Sequence, residues 1–204
     1  MHLPTWVTDT VAHALGAAPV SAERVGGGDI SPAARVIVGG KPYFVKWSAR
    51  SATPPGWPGM FAAEAMGLER LAQSGAVRVP AVVAATADAG SSGELLLLEW
   101  IDTGGSQRST AGAELGRSLA RLHCSSAEKF GLDFHNYCGA TPQPNTPNAS
   151  WRTFFGEVRL AWLLKVADDN GLMPARRARQ LERLITRLDR WIDEHSVQPS
   201  LLHG

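Results

Sequence analysis

The sequence has little excess charge of either sign. Its 20 lysine and arginine residues nearly balance 19 aspartate and glutamate residues, which leaves a formal net charge of +1, and no dense basic run occurs. A strongly basic surface is what binds a nucleic-acid backbone or an anionic membrane. We therefore expect no nucleic acid and no membrane as a partner, and a small molecule instead.

Cysteine is also scarce. Cys124 and Cys138 are the only cysteines, and they lack the paired spacing of a zinc ribbon or a redox motif. We expect free thiols with a packing role in a reducing compartment. The start of the chain has no basic segment followed by an apolar core, and no apolar run is long enough to span a bilayer. These absences predict a cytoplasmic protein.

The first half of the chain contains helix and strand patterns in turn. Apolar residues recur at helical spacing from Thr5 to Leu15, and Gly16 then supplies a stop signal. A second helix is predicted through Phe61 and Ala72. Strand-like runs are found at residues 24–25, 35–38, 43–47, 79–85 and 95–101. Together these patterns predict a five-stranded antiparallel sheet in a first lobe of residues 1–102.

The second half predicts helices. One passes through Leu115 and Leu122, another covers 151–167, and a third covers 181–192 and includes Leu188. The irregular stretch between the first two, 130–150, has a length that in compact domains usually belongs to functional or disordered segments. We predict an α+β fold whose second lobe, residues 103–204, is partial and mostly helical.

A glycine-rich turn between the first two strands is the first candidate for chemistry. In the segment Gly26-Gly27-Gly28-Asp29, backbone N–H groups could approach a phosphate closely, because no Cβ obstructs them. A glycine run in a hairpin is more often only a turn. This one matches neither the Walker pattern nor a dinucleotide fingerprint, so both interpretations stay open.

Lys46 lies inside the apolar third strand, where a buried ammonium needs an anionic partner. Glu64 lies at the edge of the apolar face of the next helix, between Phe61 and Leu68. A strand lysine paired with a helix carboxylate below a glycine turn is how protein-kinase-like folds hold ATP phosphates. The alternative is a snorkelling lysine and a solvated glutamate.

The end of the fifth strand is the third candidate. Glu99, Trp100 and Ile101 join the two predicted lobes, where kinase-like folds offer backbone groups to adenine, so we predict a hinge here. The alternative is a core strand with a polar end. His123, at the edge of an apolar helix face, is interpreted as structural, because such histidines are usually packed and hydrogen-bonded.

The chain resembles the fructosamine/ketosamine kinase family over nearly its whole length. The resemblance is carried, in order, by the blocks GGGDIS, YFVKW, FAAEAMGLERL, RVPAVV, LLLEWI, LGRSLARLH, FGLDFHNYCGATPQPN, WRTFFGEVRL and PSLLHG. It implies a protein-kinase-like fold, with ATP and Mg²⁺ as cofactors. It also implies transfer of the ATP γ-phosphate to a hydroxyl of a ketosamine, which is the adduct of a sugar with an amine on a small molecule or a protein. The activity would repair glycation.

The resemblance also implies roles for particular residues. Gly27, Gly28 and Asp29 would line the phosphate loop, and Lys46, oriented by Glu64, would contact the phosphates. Glu99, Trp100 and Ile101 would flank adenine. Asn145 and Trp151 would support the substrate pocket; the alternative is a structural loop asparagine and a core tryptophan.

In this family the catalytic aspartate follows a His-Gly pair, and Leu201-Leu202-His203-Gly204 matches the approach to that loop. We therefore expect a fragment that is inactive alone, and we assign no catalytic residue and no metal ligand within it. Two alternatives stay open. One is an aminoglycoside- or choline-type phosphotransferase, and the other is a non-catalytic nucleotide-binding protein.

Overall fold

The computed structural model describes residues 1–26, 31–49, 53–86, 93–102 and 108–203, and at 108–110 it describes the backbone alone. Within these ranges, no helix is long and apolar enough to cross a membrane. The chain begins with the predicted helix α1 (Thr5–Leu15), whose Val7 and Val11 are fully buried. Gly16 ends the helix with φ of +75°, a left-handed conformation that favours glycine.

Five strands form one antiparallel sheet, which confirms the prediction. They are β1 (Ser21–Arg24), β2 (Ala33–Val38), β3 (Lys41–Ser48), β4 (Val82–Thr86) and β5 (Glu94–Glu99), in the spatial order β1-β2-β3-β5-β4. Leu95 and Leu97 of β5 face a core shared with α1, and Leu96 and Leu98 face the opposite side. Because both faces of β5 are covered, its sequence is a continuous apolar run.

Helix α2 (Met60–Gln73) covers the second face of the sheet, with Phe61 and Ala65 buried against Leu96 and Leu98. Its first turn is capped from a distant strand. The fully buried carboxylate of Glu94 accepts a hydrogen bond from the Phe61 N–H at 3.1 Å. Gly59 precedes the helix, and a Cβ there would lie 2.6 Å from Glu94 Oε1. The sequence did not indicate this cap.

The second half contains the first two predicted helices and a hairpin that we did not predict. Helix α3 (Arg108–His123) is followed by β6 (Asn136–Cys138) and β7 (Thr141–Gln143), which pair antiparallel inside the stretch read as irregular. Gly139 turns between them with φ of +60°. Residues 151–169 are then helical, as α4 (Trp151–Thr153), a π-helical segment (Phe154–Ala161) and α5 (Trp162–Asp169).

The last predicted helix is placed too far toward the end of the chain. Helix α6 (Ala175–Ile185) ends before Leu188, which lies in a 3₁₀ turn (Leu188–Arg190), and a second such turn is Glu194–Ser196. Leu188 is buried, and its Cδ1 lies 3.2 Å from where a Cβ on Gly156 would be. The break lets Leu188 pack on this glycine of the π-helical segment. The continuous helix through 192 is therefore wrong, because tertiary packing overrides the apolar spacing.

Two other expectations have different outcomes. Cys124 and Cys138 are free thiols, as expected, but both are exposed, so the packing role is wrong. The lobe boundary at residue 102 adjoins 103–107, which lie outside the described residues, and it stays a prediction.

Candidate functional site

A cleft of about 710 Å³ opens between the sheet, α2 and the β6–β7 hairpin. Its walls come from parts of the chain that are far apart in sequence. Polar and ionisable groups of the lining include Ser31, Lys46, Glu64, Asn136, Tyr137 and His203. A concave site with a few convergent polar groups is the usual form of a small-molecule pocket.

Lys46 and Glu64 form an ion pair in the wall of this cleft. Side chains alternate along β3, so Lys46 shares the α2-facing side of the sheet with Phe44, while Val45 and Trp47 face α1. The lysine Nζ contacts Glu64 Oε2 directly and lies 5.0 Å from the Phe61 ring centroid. The pairing expected from the sequence is therefore present, in place of two solvated side chains. Its part in nucleotide binding stays a prediction.

The glycine-rich turn is described only at its two ends. Gly27, Gly28 and Asp29 lie outside the described residues, but Gly26 and Ser31 on either side line the cleft. The Ser31 hydroxyl oxygen is buried and has no hydrogen-bond partner within the described ranges. A buried hydroxyl without a partner is uncommon in folded proteins, and it leaves a polar group available to a ligand at this end of the cleft.

The predicted hinge residues are not among the described residues that line the cleft. Glu99 accepts hydrogen bonds from the Arg78 guanidinium at 2.8 Å and from the Ala81 N–H at 3.2 Å. The Ala81 N–H bond, followed by the Arg78 contacts, lowers the pKa of Glu99. The Arg35 guanidinium lies over the Trp100 ring, with its Cζ atom 5.3 Å from the centroid of that ring. Contact of Glu99, Trp100 or Ile101 with adenine stays a prediction.

Asn145 lies behind the cleft wall and is only 1% exposed. Its side-chain NH₂ donates to Phe134 C=O at 3.0 Å and to Asn136 Oδ1 at 2.8 Å, and its Oδ1 accepts from Arg159. The amide is thus fully engaged within the protein, while Asn136 lines the cleft. The contact of Asn145 with substrate stays a prediction, and its observed role is to hold Asn136.

Arg159 is a half-buried cation that contacts Asn145 from the side away from Asn136. Its guanidinium donates to Pro144 C=O as well as to Asn145, and it lies 4.5 Å from the Phe154 ring centroid. Burial lowers its pKa. No carboxylate pairs with it in the part of the chain that the structure describes. The positive charge of Arg159 is therefore stabilised by the carbonyl oxygens of Pro144 and the Asn145 side chain, and it orients both.

An aromatic cluster that sequence reasoning missed ties the loop before α2 to the hairpin. The Trp57 ring centroid lies 4.2 Å from that of His135 and 6.1 Å from that of Trp162. Tyr137 donates to Pro58 C=O at 2.9 Å, and partial burial raises the pKa of its hydroxyl. The aromatic residues at 134–137 were visible in the sequence, but their partner at 57 was not. The cluster fixes the hairpin against α2.

Trp151 has a different neighbour. Its ring stacks on Phe155, with the centroids 4.9 Å apart, and it is not among the described residues that line the cleft. A substrate contact by Trp151 stays a prediction. His123 stacks on His203 with centroids 5.4 Å apart, and its Nε2 is buried with no hydrogen-bond partner in the described chain. The packing expected for His123 is present, but a hydrogen bond at Nε2 is not.

The described residues do not by themselves provide a metal centre. No group of three or more His, Cys, Asp or Glu side chains within those ranges is placed to hold a metal ion. Mg²⁺ requires several oxygen ligands in near-octahedral geometry.

The sequence of the chain matches a family model and several named kinases. The family model described as fructosamine kinase matches residues 5–204. The chain is 36% identical over 193 residues to a "probable ketoamine kinase" of Klebsiella aerogenes, covering 94% of this chain and 63% of that protein. It is 34% identical to a chloroplastic protein-ribulosamine 3-kinase of Arabidopsis thaliana, covering 88% and 53%. The chain thus spans about three-fifths of the length of the relatives it matches.

Solved structures agree with the fold. A crystal structure of a Thermobifida fusca protein that carries the name fructosamine-3-kinase superposes with a TM-score of 0.76 at 30% identity, covering 97% of this chain and 66% of that one. An aminoglycoside phosphotransferase bound to AMP-PNP and hygromycin B superposes with a TM-score of 0.54 at 12% identity, covering 92% and 60%. The second likeness shows the fold alone. The predicted α+β, protein-kinase-like fold is confirmed.

Proposed function

Because the chain belongs to the fructosamine kinase family, we propose that the whole protein transfers the γ-phosphate of ATP to a hydroxyl of a ketosamine. The observation that carries this proposal is the Lys46–Glu64 ion pair, which lines a cleft in a chain that the family model matches over residues 5–204. A strand lysine held by a helix carboxylate is the recurring phosphate-binding device of kinase-like folds. The activity would belong to the repair of glycated amines.

In this proposal the nucleotide enters beside β3. Lys46 contacts the α- and β-phosphates, and Glu64 keeps the ammonium aimed into the cleft. Gly27, Gly28 and Asp29 would form the phosphate loop. Gly26 and Ser31 on either side would supply backbone groups and a hydroxyl that has no hydrogen-bond partner among the described residues. The support is physical: a triphosphate needs positive charge and closely approaching N–H groups.

Adenine would lie against the segment from Glu99 to Ile101. Since the Glu99 carboxylate is committed to Arg78 and Ala81, we assign the adenine contacts to the backbone of Trp100 and Ile101. Residues 1–102 would then form the nucleotide lobe and residues 103–204 part of the acceptor lobe. The proposed reaction also requires Mg²⁺ and a general base, and we assign no residue of this chain to either role.

The acceptor is a ketosamine on a small molecule or on a glycated protein. Both kinds of acceptor are included because relatives are named as ketoamine kinase and protein-ribulosamine kinase. An aminoglycoside or choline is not favoured as acceptor, since the phosphotransferase likeness is at 12% identity and a lower TM-score. A cytoplasmic location, where free thiols such as Cys124 and Cys138 persist, is part of the proposal.

The test is ATP-dependent phosphorylation of fructoselysine by the whole protein and by its Lys46→Met variant. We expect the variant to lose about 100-fold or more in kcat/KM, the usual cost of removing one charge-stabilising group. Lys165→Met is the matched control, because Lys165 is also ion-paired, with Asp169 at 2.6 Å, but lies exposed on α5. It should keep wild-type activity.

Three results would contradict the proposal. Lys46→Met could retain wild-type activity, Lys165→Met could lose as much as Lys46→Met, or hygromycin B or choline could be phosphorylated in preference to fructoselysine. A protein that binds ATP, measured as a rise in its melting temperature, but phosphorylates none of these acceptors would favour the non-catalytic alternative.

A further inference from the structure

The orientation of the Asn145 side chain follows from its two unlike neighbours. Phe134 C=O can only accept a hydrogen bond, and it lies 3.0 Å from Asn145 Nδ2. The Arg159 guanidinium can only donate, and it contacts Asn145 Oδ1. Exchange of the amide oxygen and nitrogen would break both bonds, so only one orientation of this buried amide satisfies its surroundings.

That orientation determines the orientation of Asn136. The second N–H of Asn145 Nδ2 donates to Asn136 Oδ1 at 2.8 Å. Gln143, the cross-strand partner of Asn136 in the hairpin, donates to the same oxygen at 3.1 Å. A carbonyl oxygen has two lone pairs, so the acceptor capacity of Asn136 is filled from inside the protein.

The remaining half of Asn136 is its NH₂ group. Asn136 is half-buried and lines the cleft, and its Nδ2 has no hydrogen-bond partner among the residues that the structure describes. Because both lone pairs of Asn136 Oδ1 accept hydrogen bonds from the protein, the group that Asn136 can offer to the cleft is its side-chain NH₂. Arg159, Asn145 and Gln143 thus together present one oriented pair of N–H donors to a ligand.

An uncharged hydrogen-bond donor such as the Asn136 NH₂ is suited to an uncharged oxygen. The cationic group of the same cleft is Lys46, which suits phosphate oxygens. Tyr137 and Gly139 of the same hairpin line the cleft beside Asn136, and a carboxamide N–H is well matched to a hydroxyl or carbonyl oxygen of a sugar. Sites that hydrogen-bond a substrate hydroxyl discriminate strongly against analogues that lack it.

We propose that Asn136 is a specificity-determining residue whose side-chain NH₂ donates to a hydroxyl oxygen of the ketosamine acceptor, held in position by Asn145, Gln143 and Arg159. The inference rests on the proposed function, because it names the acceptor of that reaction. It separates Asn136, which touches the acceptor, from Asn145 and Arg159, which act through it.

Asn136→Asp in the whole protein is the test. Aspartate keeps an oxygen for Asn145 and Gln143 but replaces the donor with a second, negative oxygen. We expect the KM for fructoselysine to rise about tenfold or more, as for a lost hydrogen bond facing an unpaired oxygen, while the KM for ATP stays unchanged. Asn148→Asp is the matched control, since Asn148 does not line the described cleft and its Oδ1 accepts from the Ser150 N–H at 2.8 Å. It should leave both constants unchanged.

A second measurement uses the wild-type protein, so it does not depend on the folding of a variant. In a series of monodeoxy fructoselysines that all keep the hydroxyl that is phosphorylated, at least one should lose about tenfold in kcat/KM, and Asn136→Asp should not distinguish that analogue from the parent compound. The inference is overturned if no analogue loses activity, if the rise in KM falls on ATP, or if Asn148→Asp has the same effect. If the wild type phosphorylates no ketosamine, the proposed function fails and this inference fails with it; an active wild type with an indifferent Asn136→Asp overturns the inference alone.

Discussion

Replacing Glu94 by glutamine tests how helix α2 begins. The Glu94 carboxylate is fully buried at the first turn of the helix, where it accepts from the Phe61 N–H at 3.1 Å and from the Thr53 hydroxyl at 3.4 Å. Gly59 at the N-cap offers no side chain of its own. The carboxylate therefore satisfies the Phe61 N–H, which has no partner within the helix, and it faces the positive end of the helix dipole.

The magnitude follows from these contacts. Hydrogen bonds to a charged group contribute about 1 kcal/mol more than neutral ones, and a partly buried charge at a helix end contributes up to about 2 kcal/mol. Relief of the cost of burying a charge offsets part of this sum. We expect Glu94→Gln to lower the free energy of unfolding by about 2 kcal/mol, which lowers the melting temperature by roughly 4–8 °C for a unit of this size.

Thermal unfolding followed by circular dichroism measures the effect. The matched control is Glu69→Gln, the same change at an exposed position on the same helix. It should alter stability by less than about 0.5 kcal/mol. If the two variants melt at the same temperature, the carboxylate of Glu94 does not cap α2 and the reasoning is wrong.

Two further predictions follow from the structure. Gly59→Ala should destabilise the protein by about 1–3 kcal/mol through overpacking, because its Cβ would lie 2.6 Å from Glu94 Oε1. Gly116→Ala in α3 should instead stabilise by about 0.5–1 kcal/mol, because the described residues leave open space around its Cβ. Urea unfolding of both variants measures the difference, and equal effects would contradict the clash. The Ala81 N–H and Arg78 lower the pKa of Glu99 in the folded protein from its ordinary value of 4.5. As the pH falls below 4.5, the unfolded state therefore binds a proton before the folded state does, and stability is lost. Glu99→Gln should therefore show a shallower fall of melting temperature with acid, and the same slope in both proteins would refute this assignment.

Much of the fold could be predicted because it depends on local periodicity. Helix α1 and its glycine stop, β2 to β5 and α2 are signalled by the spacing of apolar residues. The first strand was predicted at 24–25 but lies at Ser21–Arg24, so the prediction overlaps it at one residue only. The Lys46–Glu64 pair was predictable for a related reason: a charge inside an apolar strand needs a partner, and only a side chain at the edge of the neighbouring apolar face could provide one.

The failures of prediction occur where spacing and packing conflict. The apolar series 181–192 favours one helix, but Leu188 leaves it to pack on Gly156, which is distant in sequence. The β6–β7 hairpin is short, and its signal was masked by prolines and by the lack of alternation. Asn145 was singled out by the family resemblance as a support of the substrate pocket, and the structure engages its whole side chain inside the protein.

The sequence by itself determined the order and type of most elements, the α+β class, the ion pair and the family, since each is written in local patterns or ordered motifs. Only the tertiary structure decided that Glu94 caps a helix from another element, that Trp57 meets Trp162, and that Asn136 shows its donor to the cleft. The reason is physical: a hydrogen bond or ring contact between distant residues depends on where the folded backbone brings them, and no local pattern encodes which donor will meet which acceptor.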